Sequence, residues 1–375
     1  MGGMLKHLSG VFLGLAALAG AACPILMPAA ASADQITAYV SHHAAPGNPD
    51  TSCATARYTT INGAIHAVVA GGTVVVCPGT YHTEALVLKP VRLEGRDALI
   101  DAAGQRPVIP GLPGGSGIVV LHTHKVIVTG FVVVGAGFDG ILVANSDNVQ
   151  VSHNLLVRNG DVGVDFNGTS YSQAYHNISE FNRGGGFLVA DDLGVNHDNV
   201  VAWNFATRNP GGCGVIVAGH STAGVFGNLV AHNLLTFNGT LRKSPGAGVV
   251  VAIEVPHETV AGNTVIGNTI YGNGIAGVTI HGHLPGLHMA GNEVLDNNIG
   301  RNNTVGDTIG LAPPASSNPD LRTTGILVGS STHIGVVISG NHIHHDYYGI
   351  YIDGLVRATF GGNHYRRVHT QVKFT

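Results

Sequence analysis

The chain has 375 residues, 55 of them glycine and 22 histidine, with a formal net charge of −4. Charged residues make up 11%, against roughly 25% in ordinary globular chains. No basic run or stripe is written along the chain, which excludes nucleic acid and anionic membrane surfaces as expected partners. Beyond the N-terminal segment, no stretch reaches the ~18 unbroken apolar residues of a membrane span.

In chain order, Lys6 is followed by an apolar run over 11–22 and by Ala31-Ser32-Ala33. This is the pattern of a secretory signal peptide cleaved after Ala33, so the mature protein is expected to be secreted. A lipid anchor on Cys23 is the alternative, with Gly20 standing where a leucine-like residue is usual. Residues 34–375 read as a single domain, with 34–72 as an N-terminal cap and 73–368 as repeating rungs. A first strand is expected over 36–41. A loop over 42–51 follows, then an amphipathic helix over 58–69 with Ile61, Ile65, Val68 and Val69 on one side. Gly71-Gly72 ends the helix and a strand over 73–76 closes on Pro78-Gly79. Cys53 and Cys77 flank this helix-and-strand unit and form the natural pair. Closing that loop stabilises by about 3 kcal/mol. Cys213 then remains as a buried thiol, although three mature cysteines allow three pairings.

Strands over 85–88, 91–93 and 98–100 lead into a repeated phrase: glycine, apolar, any residue, apolar. It begins at Gly117, Gly140, Gly163, Gly186, Gly214, Gly248, Gly277 and Gly325, with an aromatic copy at Gly349. The first three intervals are 23 residues each, and later ones are stretched by insertions over 241–247 and 304–324. A fixed period in the twenties means a stacked solenoid, because one unit cannot bury its own apolar side. A second signal, Asn-x4-Asn, appears at Asn154/Asn159, Asn177/Asn182, Asn204/Asn209, Asn233/Asn238, Asn268/Asn273 and Asn292/Asn297. Asparagine tolerates the left-handed backbone region, and its amide bonds up and down a stack. His153, His176 and His232 each precede such an asparagine and read as an exposed stripe.

Strand, Asn turn and Gly-Ile-x-Val at this period resemble the right-handed parallel β-helix repeat of the pectin-lyase-like superfamily. So does the stretch from Val74-Val75-Val76-Cys77-Pro78-Gly79 through Leu93-Glu94-Gly95 to Ile100-Asp101. The resemblance implies an all-β fold: a single-stranded right-handed parallel β-helix of ten to twelve rungs with a capping helix. The group includes pectate lyases, polygalacturonases, alginate C5-epimerases and a copper-loading periplasmic protein, so the resemblance specifies fold and not activity. Asp191-Asp192 and Gly219-His220 invite comparison with polygalacturonases, but here they follow the strand where in that family they precede it. The Arg-x-Lys element and the Asp-Pro-His-Asp signature of alginate epimerases are absent, so no family's catalytic residues carry over.

Aligning rungs on the repeating glycine turns the sequence into columns. Two residues on, the outward column is Leu142, Asp165, Leu188, Ile216, Val250, Thr279, Leu327 and Tyr351. Its apolar middle calls for cover by a loop or by another chain, so an oligomer through this column is one expectation. Six residues on, the column is Ser146, Thr169, Asp192, His220, Glu254, His283 and Ser331. Carboxylate and imidazole alternate on four rungs ~4.8 Å apart, close enough to share protons. Asp191 and His281 flank this patch. Three readings stand: a solvated turn edge, general acid–base catalysis with Asp192 or Glu254 as acid and a histidine as base, or a divalent metal site. No cofactor is required by the sequence. The metal ligands, where one binds, are His281 with His283, or His342 with His344 and Asp346. The functional expectation is a secreted protein that binds or processes a polysaccharide or cell-envelope glycan by lyase, hydrolase or epimerase chemistry. The alternatives are a non-catalytic cell-envelope adhesion or structural rod, and a copper- or zinc-binding protein.

Overall fold

The computed structural model describes residues 35–282, 284–305 and 322–375. The segment expected to be a signal peptide, His283 and most of the 304–324 insertion lie outside the described residues. The described chain winds as a three-faced solenoid in which every strand pairing is parallel. Face 1 holds the glycine-led strands, eleven deep from Ala85–Val87 to Thr370–Phe374. Face 2 begins with Thr37–Val40 and Gly72–Val76, and face 3 with Gly79–Tyr81. The register is the one the columns require: Leu142 pairs with Asp165, Asp165 with Leu188, Leu188 with Ile216 and Ile216 with Val250.

The repeating glycine has a steric cause. A Cβ on Gly140 would stand 2.7 Å from the carbonyl oxygen of Gly163, and one on Gly163 2.8 Å from that of Gly186. Successive rungs therefore approach too closely there for any side chain. The residues on either side of each outward position point inward. Ile141, Val143, Val164, Phe166, Phe187, Val189, Val215 and Val217 stack into one continuous core with the inner residues of the other two faces.

The N-terminal end is closed by the helix Ile61–Ala67, shorter than the span the sequence suggests, with Thr60 Oγ1 accepting from the Gly63 N–H as its cap. Ile61, Ala64 and Ile65 are buried against the first rungs, which supplies the cover that an open apolar end needs. Cys53 and Cys77 are disulfide-bonded, and Cys213 is a buried free thiol. Burial pushes that thiol up to about 12, so it is inert as a nucleophile.

The asparagines form three ladders, one at each corner. Between faces 2 and 3 run Asn154, Asn177, Asn204, Asn233, Asn268, Asn297, Asn341 and Asn363. Between faces 3 and 1 run Asn159, Asn182, Asn209, Asn238, Asn273 and Asn302, ending on Asp346. The third, Asn199, Asn228, Asn263 and Asn292, precedes face 2. This corrects the last sequence pair: Asn297 is partnered across face 3 by Asn302, and Asn292 belongs to the third ladder. The left-handed residues are also one position earlier than expected. His153, Arg158, His176, Phe181, Trp203, Arg208, His232 and Phe237 have φ between 51° and 59°, while the ladder asparagines that follow them do not. Each amide must point into the stack, so the sharp bend falls on the residue before it, whose side chain is thrown outward to solvent.

Asn238 illustrates the bonding. Its Oδ1 accepts from the Asn209 N–H and amide, one amide hydrogen returns to the Ala206 carbonyl and the other goes forward to Asn273 Oδ1. Replacing it strands several buried groups at once, each costing roughly 1–3 kcal/mol. Asn238→Ala is expected to lower the thermal midpoint by several degrees more than His232→Gly on the exposed corner, as read by circular dichroism melts.

Candidate functional site

The face 1 strands Val162–Asn167, Gly185–Ala190 and Cys213–Gly219 place the site at their C-terminal ends, where alternation along the chain decides what each acid does. Asp191 is fully buried. Its Oδ1 accepts from the backbone N–H of His220 (2.7 Å) and Ser221 (3.1 Å), and its Oδ2 from Ser221 Oγ (2.8 Å) and the Gly224 N–H (2.9 Å). It is a staple that folds the turn carrying His220. Asp192, the next residue, points the other way and meets His220 Nδ1 at 2.9 Å, with the two side chains 14% and 8% exposed. Asn167 Nδ2 also donates to Asp192 Oδ2 (3.0 Å) and to Asp165 Oδ2 (3.4 Å).

Burial alone would favour neutral forms of both partners. The hydrogen bond and charge of Asp192 outweigh it and raise His220 to about 9, with Glu254 and Asp191 adding to the effect. The same contact holds Asp192 below the usual carboxylate range despite its own burial. At neutral pH the pair is therefore imidazolium and carboxylate. The sequence expectation had a histidine as base; a ring raised in this way favours the charged form. Asp192 occupies Nδ1, which leaves Nε2 as the ring's other polar atom.

The cleft beside the pair is lined by Ile109, Leu112, Leu188 and Leu193 and by the carboxyl groups of Asp161 and Asp165. Asp165 is one of three acids that the column of charge did not reveal. Asp139 Oδ1 accepts from the Val162 N–H at 3.3 Å, while Asp139 Oδ2 and Asp165 Oδ1 are buried without a partner among the described residues. Burial first, and the neighbouring carboxylates second, push Asp139 and Asp165 well above the ordinary range. Asp161 is raised for the same first reason, although the charges of His220 and Arg183 oppose it. The one sequence signal was Asp165 itself, an acid in an otherwise apolar column. Behind the staple, Glu258 is buried against Asp191 and raised to about 7.

The other expected members are spread out. Glu254 is exposed on the next rung, its N–H donating to the Gly219 carbonyl, and contributes to the field at His220 without contact. His281 pairs with Ala252, two rungs beyond the strand that leads to His220. His283 lies outside the described residues. Asp346 is buried as the last step of an asparagine ladder, its Oδ1 accepting from the Asn302 N–H, and burial raises it to about 7. It thus turns away from His342, which stacks on His364, and from His344, which bonds Asn298 and His345. Among the described residues no group of three or more His, Cys, Asp or Glu is arranged to hold a metal ion. The apolar outward column is covered by the chain itself. Ile109, Leu112, Leu121 and Leu193 pack over Val119 and Leu142, while Ala247 and Ile275 pack with Val250. The surface expected to carry an oligomer contact is thus already occupied along much of its length.

A family described as right handed beta helix region matches residues 112–294. No curated protein sequence matches the chain. Among solved structures it is similar to the A-module of the mannuronan C-5 epimerase AlgE4 from Azotobacter vinelandii, at 18% identity and a TM-score of 0.60, covering 84% of this chain and 94% of that one. It is similar to an alginate lyase from a Paenibacillus species at 12% identity and a TM-score of 0.55, covering 91% and 98%. It is also similar to PfbA, a surface adhesin of Streptococcus pneumoniae, at 10% identity and a TM-score of 0.55, covering 83% and 87%. These likenesses are of fold. No described helix is long and apolar enough to cross a membrane.

The titrations set a pH dependence. Acids with raised pKa keep protons that the unfolded chain has released, so stability falls as pH climbs through and above the usual carboxylate range. His220 stabilises fully below 6.5 and loses that contribution by about 9. Asp192 acts in the opposite sense only at acid pH, where its depressed value makes stability fall as it protonates. The melting temperature is expected to peak near pH ~5 and decline toward pH ~9. Asp165→Asn is expected to flatten that decline, as read by melts across the pH series.

Proposed function

We propose that this chain, a right-handed parallel β-helix, is exported and processes a polysaccharide in the cleft beside Asp192 and His220. The observation that carries this reading is the shielded pair: an imidazole held through Nδ1 by a carboxylate at 2.9 Å, in the lining of a cleft that also holds Asp161 and Asp165. Lyase, hydrolase and epimerase reactions on glycans all require a proton to be delivered to, or taken from, the sugar at a defined atom. His220 Nε2–H delivers it, or stabilises negative charge developing on a sugar oxygen. Asp192 keeps the ring oriented and charged. Asp161, half-buried and raised, exchanges the second proton. Asp165, raised by burial, reduces the negative charge that faces the cleft. Two of the structurally similar proteins bear the names of an epimerase and a lyase of uronate polymers, which supports testing acidic glycans first.

The adhesin among the similar structures favours a second, non-catalytic reading, in which the same rod binds a cell-envelope glycan and turns nothing over. The two separate cleanly. The protein is incubated with polymannuronate, polygalacturonate and a neutral glucan, and followed by absorbance of unsaturated products, by reducing ends and by proton NMR of C5 inversion. His220→Ala is expected to cut turnover by roughly 100-fold or more, the usual weight of a general acid, with Asp192→Asn close behind. Equal rates for wild type and His220→Ala on whichever glycan is turned over would remove the pair from the chemistry.

A further inference from the structure

The corner between faces 3 and 1 carries a column that the function above does not use. It consists of the left-handed residues that precede the second asparagine ladder. Following that ladder upward, they are Arg158, Phe181, Arg208, Phe237, Gly272, Arg301, His345 and Arg367. Apart from Gly272, the ladder turns these side chains outward, and Arg158, Arg208, Arg301 and Arg367 are all exposed. Phe181 is 40% and Phe237 42% exposed. The guanidinium of Arg158 lies over the Phe181 ring at 5.7 Å, and that of Arg301 over Tyr271 at 6.0 Å. Arg367 contacts the His345 ring. Among the described residues none of these four arginines is ion-paired to a carboxylate; the arginine–carboxylate pairs seen are those of Arg92 and Arg96 with Glu94.

Four exposed arginines without a carboxylate partner among the described residues, set in one line on a chain whose net charge is −4, suit an anionic partner by charge complementarity. The rungs repeat every ~4.8 Å, so the column runs for roughly 34 Å. Its arginines stand two, three and two rungs apart on that fixed period. Exposed aromatic faces suit the apolar faces of sugar rings, and guanidinium forks suit carboxylates. A second copy of this chain is disfavoured, because a symmetric contact along the column would set arginine against arginine.

We infer that this corner is a second, non-catalytic binding track for a carboxylate-bearing polysaccharide. The column lies beside the start of the face 1 strands: Asn159 follows Arg158 and is followed two residues later by Asp161 of the cleft. The track therefore holds a long acidic chain alongside the cleft, whether or not that chain is turned over there. It shares with the cleft only the class of partner and does not depend on catalysis.

The test measures binding in a His220→Ala background, where turnover is removed and a failure of the cleft reading leaves the result interpretable. The probes are polygalacturonate, the same polymer fully methyl-esterified, and dextran sulfate. Because the corner has φ near 50–58° at Arg158, Phe181, Arg208 and Phe237, the variants use asparagine, which tolerates that backbone. Arg158→Asn/Arg208→Asn is expected to weaken polygalacturonate binding at least tenfold and to reduce its salt dependence. Phe181→Asn/Phe237→Asn is expected to weaken it severalfold at unchanged salt slope, and the methyl ester is expected not to bind. Melting curves matching the parent show that the variants fold. Unchanged affinity in both double variants overturns the inference. So does equal binding of dextran sulfate and polygalacturonate with no effect of the phenylalanines, which marks a mere polyanion surface. A stable dimer dissociated by Arg158→Asn/Arg208→Asn overturns it as well.

Discussion

A primary amide that accepts from the rung below and donates to the rung above has a direction, and that direction fixes this molecule. Each ladder asparagine satisfies a buried backbone N–H that the turn would otherwise strand, and passes the next hydrogen bond on. Buried polar groups are costly unless fully paired, so a slip of one residue at any corner would leave a whole ladder unpaired. Aliphatic packing inside the coil supplies the driving force. It tolerates sliding far better than the amides do. The core makes a solenoid; the ladders make this register, and every neighbourhood of functional groups follows from it.

Within that register, single-residue alternation gives adjacent acids opposite duties. Asp191 is turned inward and consumed by four donors that build the turn. Asp192 is turned outward and ion-paired with His220. The staple thus positions the ring that its neighbour charges. Around them, Asp139 and Asp165 lose hydration and face one another's charge, so they remain protonated where exposed carboxylates would ionise. The cleft consequently carries fewer negative charges than its four carboxyl groups would suggest.

The column alignment made much of this readable before any coordinates. Asp192 beside His220 follows from counting six residues past each glycine, since parallel strands turn equal offsets into vertical neighbours. The count failed in identifiable ways. It treated offset as contact, whereas Glu254 leans into solvent one rung away. It overlooked Asp139 and Asp161, which lie before the glycine where no repeat drew attention. It shifted the last asparagine pair, because three ladders share one residue type and an isolated spacing of five does not say which corner it serves. Of the two covers expected for the outward apolar column, a loop or another chain, Ile109 and Leu112 from a preceding loop supply the first over part of its length.

What the sequence by itself determined is the coil: glycine where a Cβ would strike the next rung, apolar residues at alternate positions and asparagine at the corners. These are local rules repeated until they add up, so they survive without tertiary knowledge. Only the folded chain decided the electrostatics. Arginines at 158, 208, 301 and 367 are scattered in the sequence and form no run, yet the winding sets them on one edge. Likewise the protonation of His220 depends on carboxylates 28 and 29 residues away in sequence. Charge acts through space and burial, and neither is a property of adjacent letters.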